Sequence, residues 1–148
     1  SPDFVKTMVD AAGGGISIQR HHERQTIKEE IDFILASDNI YLTTRYGAQP
    51  LKQEYECYLS CGMPPCAPLY SCNIFTYMSN AGPAGCIAND LFNEWWILVL
   101  EWSWFDQSAF SYLAWFYDEF THLGINTVSL GPMFDNPFFT LHPHNKIQ

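Results

Sequence analysis

Apolar and polar positions follow more than one period along this chain, and the changes of period mark its elements. Residues 1–12 read as a short helix with Ser1-Pro2-Asp3 as its start signal, and Gly13-Gly14-Gly15 breaks it. Ile16-Ser17-Ile18 alternates as a short strand does. Between Glu23 and Ala36 the period becomes helical. Ile27, Ile31, Ile34 and Leu35 make one face, and Lys28, Glu29, Glu30 and Asp32 lie largely off it. Asn39 to Thr44 (NIYLTT) predicts a strand ended by Tyr46-Gly47, and residues 50–60 predict a helix after Pro50. From Cys61 to Gly85 four prolines (Pro64, Pro65, Pro68 and Pro83) predict irregular structure.

Periodicity then gives way to density. Residues 89–123 (NDLFNEWWILVLEWSWFDQSAFSYLAWFYDEFTHL) are apolar on most faces of any helix they form. Asn89 or Asp90 would cap it. The segment predicts one broken helix or two consecutive ones, buried on several sides. Its longest charge-free run, Gln107 to Tyr117, is 11 residues, well short of the roughly 20 a membrane span needs. After Gly124, Ile125 to Leu130 (INTVSL) predicts a strand, followed by a tail with Pro137 and Pro143. The expected fold is therefore α+β and helix-rich, with a long aromatic helical segment and a few short strands. The 148 residues suit a single domain, with residues 1–15 as an N-terminal arm. Ser1 in place of an initiator Met reads as a processed chain or a fragment of something longer.

Charge sharpens this picture. The net charge is −9, which excludes a nucleic-acid binder working through phosphate neutralisation and argues against binding to anionic membranes. From Gln53 to Asn145 there is no Lys or Arg, while the same stretch holds nine acids: Glu54, Glu56, Asp90, Glu94, Glu101, Asp106, Asp118, Glu119 and Asp135. Each of these must be solvated, hydrogen-bonded, bound to a cation, or paired with a basic group from the flanks, a histidine or another chain. So apolar a region offers little surface for solvated acids.

Cys57, Cys61, Cys66, Cys72 and Cys86 fall within one 30-residue stretch, and none makes a CxxC. Two disulfides with one free thiol, five reduced thiols, or a metal or cluster site all fit these spacings. Other chemistry is sparse. Glu119 and His122 form E-x-x-H, half of a two-metal carboxylate set, and His142 and His144 project to one side of an extended segment. These four are the candidate ligands for a divalent metal ion. Glu94 and Glu101 lie two helical turns apart, near tryptophans able to stack on sugar rings, which is the arrangement a glycosidase pair would need. No nucleophile motif or phosphate loop accompanies them. Phe116 to Pro137 (FYDEFTHLGINTVSLGPMFDNP) resembles the helix-to-strand entry of alpha-amylase-type barrels, in which a helix, a Leu-Gly pair, a short strand and a Pro-x-Phe-acid loop follow in order. The resemblance implies an αβ unit; no catalytic motif of that family comes with it.

The leading expectation is a non-catalytic structural or interaction subunit, acidic and aromatic-rich, working as an oligomer or hetero-complex without a cofactor. It would dock Trp95, Trp96, Trp102, Trp104, Phe105, Trp115 and Phe116 on partner chains that supply basic surface, since aromatics are typical interface anchors. The alternatives are a metal-dependent or carbohydrate-active enzyme using carboxylates and histidines, and a sugar-binding module with exposed tryptophans.

Overall fold

A computed structural model describes residues 2–13, 15–77 and 82–128. Within them the chain is α+β and helix-rich, with six helices and a three-stranded sheet. The order is α1 (Pro2–Ala12), β1 (Ile16–Arg20), α2 (Ile27–Ala36), α3 (Ile40–Tyr46), α4 (Leu51–Ser60), β2 (Tyr70–Tyr77), α5 (Pro83–Glu101), α6 (Asp106–Thr121) and β3 (Ile125–Thr127).

β1 is the central strand. It pairs antiparallel with β2, from Ile16 opposite Tyr77 to Arg20 opposite Tyr70, with a register shift after Ile18. On its other edge it pairs parallel with β3, Ile16 opposite Ile125. The strand alternation sorts its side chains to two faces. Ile16 and Ile18 enter a core with Ala88 and Leu91 of α5 and Phe110, Leu113, Ala114 and Tyr117 of α6. Ser17 faces the other way, and its hydroxyl donates to the Met8 carbonyl of α1 at 2.7 Å. The stretch read as an arm thus lies against the sheet, with Met8 1% exposed beside Val128. Gly15 is fixed by close approach at the start of β1. A Cβ there would fall 2.3 Å from the Gly124 carbonyl oxygen, inside any real contact distance.

A second core fills the space beside α6. Ile27, Ile31 and Ile34 of α2 meet Leu51, Tyr55 and Tyr58 of α4, with Met63, Ala67, Leu69 and Phe105. The amphipathic stripe read between Glu23 and Ala36 is this face. Its helix begins at Ile27, where the Thr26 hydroxyl accepts from the Glu29 N–H as an N-cap.

Three elements differ from expectation. Asn39 to Thr44 is not a strand but enters α3. The Asn39 side chain accepts the Tyr41 N–H, and Thr43 hydroxyl bonds fold back onto Asn39 and Ile40 carbonyls. A lone segment needs a neighbour to become a strand, whereas a capped helix satisfies its own backbone groups. The proline-rich stretch contains β2, since Pro68 and Pro83 bracket the strand and none interrupts it. The long aromatic helix starts at Pro83 rather than at Asn89, with Pro83 at the first position after Gly82, whose φ is +65°.

Candidate functional site

Segment 89–123 is two helices joined by a tight linker, Trp102 to Phe105. The linker is held by polar contacts. The Trp104 N–H donates to Gln49 Oε1 at 2.7 Å, and the Gln49 amide donates back to the Arg45 carbonyl at 2.6 Å. The Trp95 indole N–H donates to the Asp106 carbonyl at 2.8 Å, which ties α5 to the first turn of α6. Beneath the linker Glu54 is fully buried and accepts from the Tyr58 hydroxyl at 2.9 Å and from the Ser103 hydroxyl. Burial pushes the Glu54 carboxyl above the usual carboxylate range, while the Ser103 and Tyr58 hydrogen bonds pull it back. Glu54 therefore finds its partners inside the chain without a cation.

The inner side of this hairpin is spent on the core, and the outer side is not. Trp104 and Leu100 are each 66% exposed and Trp96 is 65% exposed. Ile40 and Tyr41 of α3 stand beside them, sharing with Trp104 and Arg45 one shallow groove. A neighbouring groove of about 440 Å³ runs from the same Arg45 and Trp104 to Phe92, Trp95, Trp96 and Leu100. The two make one continuous aromatic and aliphatic surface. Asp106 lies at its edge, and burial raises its carboxyl from the usual range. A second groove of about 270 Å³ lies along the α5–α6 seam, lined by Glu94, Ile97, Leu98, Tyr112, Leu113 and Phe116. Burial, with Glu94 nearby, raises the pKa of the Tyr117 hydroxyl.

The residues named from sequence divide accordingly. Trp95, Trp96 and Trp104 line the first surface, and Phe116 lines the second groove. Trp115 packs on Tyr112, Phe116 and Phe120, and Trp102 is half-buried. Phe105 is the exception. At 3% exposure it belongs to the second core, edge-on to Tyr46, and is not available to another molecule. Ile40 and Tyr41 escaped the sequence reading because a strand was expected there.

The candidate metal ligands do not converge among the described residues. Glu119 and His122 sit exposed at the end of α6, where His122 is the C-cap in left-handed backbone with φ 54°. His142 and His144 lie outside the described residues. Among the described residues no group of three or more His, Cys, Asp and Glu side chains is placed to hold a metal ion. Glu94 and Glu101 are both exposed on α5. All five cysteines are free thiols. No helix among the described residues is long and apolar enough to cross a membrane.

A small polar cavity of about 90 Å³ lies where β1 and β2 meet the start of α6, lined by His21, His22, Asn73 and Gln107 among others. His21 Nδ1 accepts the N–H groups of Glu23 at 3.3 Å and Arg24 at 3.1 Å. Burial, with Arg24 next to it, lowers the His21 pKa to about 4, so the ring is neutral and serves as a backbone cap. No protein-family model matches the chain, and comparison with curated proteins and with solved structures finds no match.

Proposed function

We propose that this chain is a non-catalytic interaction subunit that docks the outer face of α5 and its linker on a partner chain carrying basic groups. The observation that supports this reading is the continuous exposed surface of Trp96, Leu100, Trp104, Ile40 and Tyr41. Contiguous apolar surface of this kind marks interaction sites on soluble proteins, and exposed tryptophans are the residues that most often anchor them. Charge supports the choice of partner. Asp106 lines the surface together with Arg45, Glu94 and Glu101 are exposed on α5, and between Gln53 and Asn145 there is no Lys or Arg. A partner segment with apolar residues flanked by Lys or Arg would meet both features.

The isolated chain should self-associate through this face when no partner is present. Light scattering and native mass spectrometry at matched concentrations read this directly. Trp96→Ser with Leu100→Ser should restore a monomer with unchanged helix content. A wild-type chain that stays monomeric up to high concentration, or a double variant that associates as strongly as wild type, would overturn the reading.

A further inference from the structure

The two exposed sides of α5 carry different chemistry. Asp90, Glu94, Ile97 and Glu101 follow one another at spacings of four, three and four residues, so they form one stripe along the helix. Trp96 and Leu100 stand about 100° away around the helix, on the side already described. All four members of the stripe are exposed, Ile97 at 57%. Glu94 and Ile97 of the stripe form one wall of the α5–α6 seam groove. The α6 wall is an aromatic row at every fourth residue, Tyr112, Phe116 and then Phe120, with successive ring centres 6.3 and 4.9 Å apart. Tyr112 is fixed by its stack on Tyr58 at 4.2 Å, while Phe120 continues the row past the groove and is 62% exposed.

The acids of the stripe have no counter-charge among the described residues. The ion pairs there join Lys6 to Asp10, His22 to Glu23, Arg24 to Glu23 and Glu30, and Lys28 to Asp32, and none reaches Asp90, Glu94 or Glu101. The three carboxylates spread over about 16 Å of helix, which suits a row of separate cationic groups and not a single bound ion. An apolar groove with acid along one wall repels phosphate, in nucleic acid and in anionic lipid alike. A second copy of this chain also fits poorly, since it brings a net charge of −9 and its Lys6, Arg24 and Lys28 are already paired. What matches the groove is a third helix, whose side chains interdigitate with the ridges of two neighbouring helices. Only a helix also repeats the spacing of four, three and four residues along one edge.

We propose that the α5–α6 seam is a second docking site, which takes an amphipathic helix of a partner protein with Lys or Arg along one edge. The apolar face of that helix lies between Ile97 and the row of Tyr112, Phe116 and Phe120, and its basic edge faces Asp90, Glu94 and Glu101. Apolar contact supplies the affinity, while the charge row fixes register and direction and speeds the encounter. The proposal shares with the first docking surface only the shortage of basic residues in this half of the chain. It uses other side chains, so either proposal can fail without the other.

The test uses the full chain and a labelled Leu/Lys helical peptide of about five turns, with Lys along one edge of its Leu face. Fluorescence anisotropy should show binding of one peptide per chain, and none of a counterpart with Glu in place of Lys. Glu94→Lys with Glu101→Lys should weaken binding at least about tenfold, and Ile97→Ser with Phe120→Ser should do the same. Asp3→Lys with Asp38→Lys changes the net charge equally at exposed positions on α1 and before α3, and should bind as wild type does. Trp96→Ser with Leu100→Ser should also bind as wild type does. A second measurement needs no variant: carbodiimide should join the Lys side chains of the bound peptide to Asp90, Glu94 and Glu101 of the wild type, read by peptide mass mapping. No binding by the folded wild type, an equal loss in the Asp3/Asp38 variant, a loss in the Trp96/Leu100 variant, or cross-links that fall on other acids would overturn the proposal.

Discussion

α2 and α5 are both apolar helices, yet they treat their apolar residues in opposite ways. In α2, a ten-residue helix, Ile27, Ile31 and Ile34 form a buried stripe, and Lys28 pairs outward with Asp32. Glu30 at its edge pairs with Arg24. α5 has 19 residues and a far denser set of large side chains, but only Gly85, Ala88 and Leu91 are buried. One of its two tryptophans, Trp96, and the neighbouring Ile97 and Leu100 are all more than half exposed. Apolar content alone therefore does not place a helix in the core. Spacing does so for α2, whereas α5 carries more apolar surface than the sheet and α6 can cover.

That contrast can be broken by substitution. Ile31→Ala should cost about 2–5 kcal/mol in urea or thermal unfolding, because it opens a cavity between α2 and α4. An effect under 1 kcal/mol would mean that the stripe is not packed as described. Glu54→Ala, on α4 beneath the linker, leaves the Tyr58 and Ser103 hydroxyls without their acceptor. It should cost about 1–3 kcal/mol, and it should loosen the linker under Trp104. At the other extreme, Leu100→Ala should change the stability of the monomer by no more than about 0.5 kcal/mol. A large loss there would show that α5 is spent within this chain after all.

pH sharpens the comparison from a different side. The neutral His21 has a folded pKa of about 4 against an ordinary 6.5, so its contribution is present above 6.5 and is lost as pH falls towards 4. His21→Asn keeps an acceptor for the Glu23 and Arg24 N–H groups without titrating, and should flatten that acid limb. Glu54 acts in the opposite sense. Its raised folded pKa makes its contribution full below the ordinary carboxylate range and lost as pH rises through the folded value. Glu54→Gln should remove this second limb, and unchanged pH profiles in both variants would sink the assignment.

What could be read from the sequence follows from where the deciding forces act. α1, α2 and α4 were legible because start signals and a helical stripe act within a dozen residues. For segment 89–123 the sequence left open one broken helix or two consecutive ones, and β3 was legible from its β-branched run after Gly124. α3 was not, because its residues favour a strand locally and only the missing neighbour decides against it. β2 was hidden by prolines that flank it. At the site, tryptophan density pointed to the exposed surface. The burial of Phe105 and the contribution of Ile40 and Tyr41 depend on how α3, α4 and the linker meet in space, and no local spacing encodes that.

The parallel pairing of β1 with β3 also sets a timetable. Ile16 and its partner Ile125 are separated by most of the chain. At roughly 5–20 residues per second, a ribosome needs about 5–20 s to make what lies between them. Throughout that interval one edge of β1 has no mate, and such non-local closure is the slow kind of folding step. The hairpin of α5 and α6 leaves the ribosome before the sheet behind it is closed. The exposed Trp96 and Trp104 are thus presented to solvent while β1 still lacks its parallel mate.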